Sequence, residues 1–189
     1  MRIIAGTYRG VALASVGKGD AEAHLRPTSD RVREALFSML THHDVIENAR
    51  VLDLFAGTGA LGLEALSRGA AEAVFVENGR PAQRLISENI EKLRLEDRTT
   101  LMRSDATRLA AWPMAAFDLV FLDPPYGRNL GQVALNRVAR GGWIATDAMV
   151  VWEENAPMQA LQGFERIATR KYGDTHVTLL CYRANGNRD

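Results

Sequence analysis

The sequence has one cysteine, Cys181, and no apolar run that approaches the roughly 18–20 residues needed to cross a bilayer as a helix. The first scarcity excludes an internal disulfide framework and a zinc ribbon. The second excludes a helical membrane anchor. A secretory signal is not expected either, because Arg2 stands alone and Gly6 cuts short the apolar Ile3-Ile4. Charge of one sign is also lacking. Lys plus Arg and Asp plus Glu number 23 each, so the formal net charge is zero. Any polyanionic partner must therefore be met by a local basic patch. No repeat and no low-complexity linker interrupts the chain. His42 and His43 are adjacent and point different ways on a helix, and no cysteine or acid array accompanies them. They read as surface residues, and no metal is expected. What is present, 47% hydrophobic and 24% charged residues in 189, suits one globular domain with room for a small appendage. A cytoplasmic protein is expected.

Two segments differ from the rest. Met1–Ala5 and Val11–Ala14 are short apolar runs around Gly6-Thr7-Tyr8-Arg9-Gly10, a hairpin pattern, and 17–24 reads as a polar loop. Residues 1–25 are thus expected to form a small extension, and 26–189 the main domain. Arg26-Pro27-Thr28-Ser29-Asp30 opens a helix carrying Val32, Leu36, Met39 and Leu40 at helical spacing. From Arg50 onward strand and helix alternate. Strands are expected over 51–55, 73–76, 99–102, 117–122 and 150–152, with helices over 61–66, 81–95 and 130–139. This alternation predicts an α/β fold, a parallel sheet with helices on both faces. Phe164–Tyr172 and Thr175–Tyr182 flank Gly173-Asp174 and predict an antiparallel hairpin at one edge.

In such sheets ligands bind beyond the carboxyl ends of the strands. Four successive strands end in an acid there: Asp53, Glu77, Asp105 and Asp123. Gly57-Thr58-Gly59-Ala60-Leu61-Gly62 fits G-x-G-x-x-G, and Glu77 lies 20 residues beyond Gly57, as in dinucleotide-binding proteins. Asp53 argues against a dinucleotide, because a carboxylate at that helix terminus repels a pyrophosphate. S-adenosylmethionine carries no phosphate and has an ammonium and a cationic sulfonium. Asp53 suits the ammonium directly or through water. Gly57 and Gly59 allow close backbone approach, Glu77 can accept both ribose hydroxyls, and Asp105 can accept from the adenine amine.

Asp123-Pro124-Pro125-Tyr126 is the most specific segment. An exocyclic base amine is a weak nucleophile, its lone pair being delocalised into the ring. Asp123 and the Pro124 carbonyl can accept its two hydrogens and favour the pyramidal geometry that frees the lone pair. Proline stiffens the turn and donates no N–H. Tyr126 can stack on an extruded base, and a base inside a duplex must be flipped out to be reached.

Asp53–Gly59 and Asp123–Tyr126 resemble segments of class I S-adenosylmethionine-dependent methyltransferases that act on amino nitrogens. Residues 26–37, Leu63–Ala70 and Lys171–Thr175 extend the resemblance to the bacterial RsmD family of small-subunit (16S) ribosomal RNA guanine-N2 methyltransferases. The resemblance covers nearly the whole chain, except 14–24, 107–116 and 155–163. It implies a Rossmann-like, seven-stranded, mostly parallel sheet over 50–183 and a small amino-terminal β-hairpin that helps seat RNA. It implies S-adenosylmethionine held by Asp53, Phe55, Gly57, Gly59, Glu77, Asp105 and Ala106. Arg26 and Thr28 would close over the methionine end, with Arg26 meeting either the carboxylate or an RNA phosphate. The catalytic set would be Asp123, Pro124, Pro125 and Tyr126. Ribosomal RNA in a partly assembled small subunit would be the partner, contacted by Arg2, Arg9, Lys18, Arg31 and Arg33, and the enzyme would be a monomer. The alternative is an amino-methyltransferase acting on DNA (adenine-N6 or cytosine-N4) or on protein, which requires a recognition insertion that this length leaves little room for.

Overall fold

The computed structural model describes residues 1–15 and 30–184. Arg26, Thr28 and Lys18, named above as cofactor or RNA contacts, lie outside the described residues. The element order is α1 (Asp30–His42), β1 (Arg50–Leu54), α2 (Ala60–Ser67), β2 (Glu72–Val76), α3 (Arg80–Leu93), β3 (Thr99–Met102), β4 (Phe117–Leu122), α4 (Leu130–Arg140), β5 (Ile144–Glu154), β6 (Phe164–Tyr172) and β7 (Thr175–Tyr182). A 3-10 turn, Ala106–Arg108, follows β3. The seven strands form one sheet in the order β3-β2-β1-β4-β5-β7-β6. β1 to β5 pair in parallel, and β7 joins β5 and β6 antiparallel. This is the class I methyltransferase fold.

The alternation of side chains along each strand divides the core in two. Val51, Phe75, Leu119, Phe121 and Val151 face one side and pack with α1, α2 and α3. Leu52, Val74, Val120, Leu122 and Trp152 face the other and pack with α4 and the 3-10 turn. Gly62 lets α2 lie close to the sheet, since a Cβ there would come 2.5 Å from the Phe75 ring. β5 is longer than expected, eleven residues rather than three. Its first half carries exposed Thr146 and Asp147 and shifts register between Phe117 and Leu119 of β4, so it lacks the apolar signature of a buried strand.

The amino-terminal hairpin forms, but reduced to a single antiparallel bridge, Arg2 to Ala12. Its hydrogen bonds go mostly to the main domain. Buried Glu64 accepts the amides of Ile4 (2.8 Å) and Ala5 (3.1 Å), and Ser67 receives Tyr8 N–H at 3.0 Å. Asn89 on α3 pairs with both backbone groups of Ala14 and donates to the Thr58 carbonyl at 3.0 Å. Ile3 and Leu13 are buried in the α1–α3 core. Residues 1–15 therefore close one side of the main hydrophobic core.

Candidate active site

The order of strands reverses between β1 and β4, and the crevice of such a fold opens at their carboxyl ends. The four acids line that edge in spatial order Asp105, Glu77, Asp53, Asp123. The chain leaves β1 through Phe55, held at φ 59°, followed by Gly57 (φ 57°) and Gly59 (φ 75°). Three left-handed residues in five turn the loop sharply into α2.

Two amide donors of this stretch, those of Gly57 and Gly62, are taken by carboxylates. Asp53 Oδ2 accepts the amide of Gly62 at 3.0 Å, inside the first turn of α2. Glu77 Oε2 accepts the amide of Gly57 at 2.9 Å, and Oε1 that of Gly79 at 2.7 Å. An acid therefore stands at the terminus where a dinucleotide would place its pyrophosphate. A cationic, phosphate-free ligand such as S-adenosylmethionine suits these acids better than a pyrophosphate does. Asp53 is buried, and burial pushes its carboxyl up to about 8 against the lowering effect of the Gly62 amide, with Glu77 and Glu153 adding to the rise. Asp105 accepts the amide and the hydroxyl of Thr107 at 2.8 and 2.7 Å, which hold its carboxyl below the ordinary range. Ala106 is buried beneath it and half-buried Phe55 packs on the same apolar cluster.

Asp123 leaves β4 with its amide directed to the Leu54 carbonyl at 3.4 Å, so the Asp123–Tyr126 turn is tied to the end of β1. Asp123 is half-buried, Pro124 buried, Pro125 exposed and Tyr126 half-buried. The turn has a second support: Gly127 N–H donates to Glu154 Oε1 at 3.2 Å. The Tyr126 hydroxyl lies 3.3 Å from Thr175 Oγ1 at the start of β7.

Glu153 was not among the acids expected at the site. Val151 pairs with Phe121 and Trp152 with Leu122, so Glu153 stands opposite Asp123. By alternation Asp53, Asp123 and Glu153 share the α1–α3 face of three neighbouring strands. Desolvation raises the Asp123 carboxyl well above the usual carboxylate range, and Glu153, Asp53 and Glu154 push it further. The signal was present in the sequence, for β5 is a fifth strand ending in acids. Among the described residues no group of three or more His, Cys, Asp and Glu is arranged to hold a metal ion.

Comparison with known proteins bears on this arrangement. A family model described as conserved hypothetical protein 95 matches residues 1–181. Ribosomal RNA small subunit methyltransferase D of Escherichia coli (strain K12) is 39% identical over 153 residues, 81% of this chain and 74% of that protein. The chain belongs to the RsmD family. A solved Escherichia coli structure, yhhF, described as a candidate methyltransferase, superimposes with a TM-score of 0.85 at 34% identity, covering 98% of this chain and 99% of that one. The 16S rRNA N2 G1207 methyltransferase RsmC of T. thermophilus, solved with AdoMet and guanosine, shares the fold, with a TM-score of 0.64 at 21% identity over 85% of this chain and 45% of that one.

The basic residues expected to meet RNA are placed unevenly in this RsmD-family chain. Arg2, Arg9 and Arg31 are exposed, and Arg2 lies 3.7 Å from Asp30. Arg33 is a correction. It is fully buried, and its guanidinium donates to the Arg2 carbonyl at 2.6 Å and to Asp30 Oδ1 at 2.7 Å. The reason is helical phase: position 33 falls on the stripe of Leu36, Phe37 and Leu40 that faces the core. Arg33 ties the hairpin to α1, and its burial takes it off the exposed surface where an RNA phosphate was expected. Among the described residues no helix is long and apolar enough to cross a membrane.

Proposed function

We propose that this chain transfers a methyl group from S-adenosylmethionine to the 2-amino group of a guanine in small-subunit ribosomal RNA, in line, onto a base turned out of its helix. One observation carries the reading. The Asp123–Tyr126 turn stands beside a glycine loop at which Glu77 holds the Gly57 amide and Asp53 the Gly62 amide, so an amine-binding turn adjoins an acidic site that disfavours phosphate and suits a cation. Membership in the RsmD family supports ribosomal RNA as the substrate, and guanine rests on that membership alone.

When bound, the cofactor supplies an electrophilic methyl on a sulfonium. The protein's own part is positioning. Glu77 holds the ribose hydroxyls, Asp105 with Ala106 receives the adenine, and Asp53 offsets the ammonium. Gly57 and Gly59 keep the floor of the site free of side chains. Asp123 and the Pro124 carbonyl accept the two N–H groups of the base and aim its lone pair. Tyr126 stacks on the base, and its contact with Thr175 sets the plane of the ring. As the nitrogen gains positive charge it favours the Asp123 carboxylate, acting against the desolvation that raises this carboxyl. The departing proton passes to Asp123 or to water. The enzyme works as a monomer on a partly assembled small subunit, and Arg2, Arg9 and Arg31 contribute phosphate contacts.

Transfer of labelled methyl groups to small-subunit particles lacking the modification, followed by nucleoside analysis, tests this. Label in N2-methylguanosine is expected. Label in an adenine, a cytosine or a protein side chain refutes the assignment.

A further inference from the structure

Formal charge is balanced across the chain, yet its pairing is not uniform. Arg33, Arg50, Arg68 and Arg183 are bound to carboxylates, and Arg98 and Arg137 to backbone carbonyls. Three exposed cations close to the catalytic turn are left out of this network. Arg128 and Lys171 form no ion pair among the described residues, and Arg170 reaches only the neighbouring Thr169 carbonyl at 3.2 Å.

Topology brings these three cations to the catalytic edge. β7 runs antiparallel to β5, with His176 opposite Glu154, and Lys171 of β6 is opposite His176 in turn. The β6–β7 turn therefore projects beyond the same sheet edge as Asp123. Three strand spacings separate β6 from β4, about 14 Å. The Tyr126–Thr175 contact fastens the base-stacking residue to the tip of this hairpin, where Thr175 pairs with Tyr172. Arg128 follows Tyr126 by two residues and faces solvent. Arg170 lies on the sheet face of Ala168 and Tyr172, the face that Asp53 and Asp123 share, while Lys171 points to the other. A nucleic-acid strand crossing the tip meets a cation on either side.

We propose that Arg170 and Lys171 at the tip of the β6–β7 hairpin, with Arg128, form a phosphate-binding surface for the RNA strand flanking the target base. The proposal rests on the reading of this chain as an RNA methyltransferase. This surface is separate from the amino-terminal hairpin, and the two basic regions lie on different elements. Phosphate contacts fix register without reading sequence. The tip thus holds the flanking backbone while Tyr126, tied to the same hairpin, receives the base.

The test is an Arg170→Ala, Lys171→Ala double variant of the full chain, with Arg128→Ala measured separately. Affinity for protein-free small-subunit RNA and for unmethylated particles is measured across a salt series, beside steady-state methyl transfer. The double variant is expected to lower the slope of log K against log salt by about 1.4–1.8. Its KM for RNA should rise with kcat little changed, and calorimetric S-adenosylmethionine binding should be unchanged. An Arg170→Lys variant should keep the wild-type salt slope, which a merely structural role of the guanidinium would not predict. An unchanged slope and KM in the double variant, with wild-type RNA methylation intact, overturns the proposal and leaves the function standing. Weakening seen with particles but not with protein-free RNA assigns the patch to an acidic protein face and also overturns it. A wild-type protein that neither binds nor methylates RNA removes the proposed function, and this proposal with it.

Discussion

Lowering the pH should weaken cofactor binding through Asp53. Its carboxyl is pushed up from 3.8 to about 8, chiefly by burial. At pH 7 about nine in ten empty molecules therefore carry it protonated. A cation placed beside it favours the carboxylate. Binding at pH 7 should thus release about 0.9 proton, and affinity should rise by a factor approaching ten per pH unit from about 6, levelling near 8. The same shift acts on folding. The native state binds the extra proton between about 4 and 8, so the contribution of Asp53 to stability falls as pH rises through that window. The cofactor should offset that fall at its upper end. Calorimetry at pH 6–7 in two buffers of different ionisation enthalpy reads proton release directly. Asp53→Asn keeps an acceptor for the Gly62 amide and cannot titrate, so its affinity should be flat with pH and its proton release absent. Wild-type binding without proton release, or an Asn variant with the wild-type pH slope, would refute the reasoning.

Three further outcomes are expected. Glu77→Ala removes the acceptor of Gly57 and Gly79 amides and of the ribose hydroxyls, and should weaken cofactor binding by roughly 1.5–3 kcal/mol in calorimetry. Asp123→Ala should reduce single-turnover methyl transfer by about 10²–10³ with cofactor affinity little changed, whereas Tyr126→Phe should be mild and Tyr126→Ala should impair base capture. Glu64→Ala strands the Ile4 and Ala5 amides and the Arg68 guanidinium, and should destabilise by about 3–5 kcal/mol, read as a lower Tm and early proteolysis within residues 1–15.

Much of this could be read along the chain. The run Val51–Phe55 and its glycines, the acids at 53, 77, 105 and 123, and the Gly173-Asp174 turn each carry a local pattern. That pattern survives in the folded protein because period and turn chemistry depend on residues near one another in sequence. The seven strands, the antiparallel edge and the acid-lined crevice followed from it. The rest needed partners from elsewhere in the chain. Arg33 looked like a surface cation; helical phase turns it to the core, and the Arg2 carbonyl, 31 residues away, meets its guanidinium there. Glu64 is buried on α2 because the Ile4 and Ala5 amides arrive from 60 residues upstream. Glu153 joins the site only because β4 and β5 pair in the register that sets it opposite Asp123. Whether a charged side chain is solvated, structural or poised for chemistry is decided by its desolvation and its partner. Both come from segments distant in sequence, so only the assembled sheet and its helices could assign these three residues.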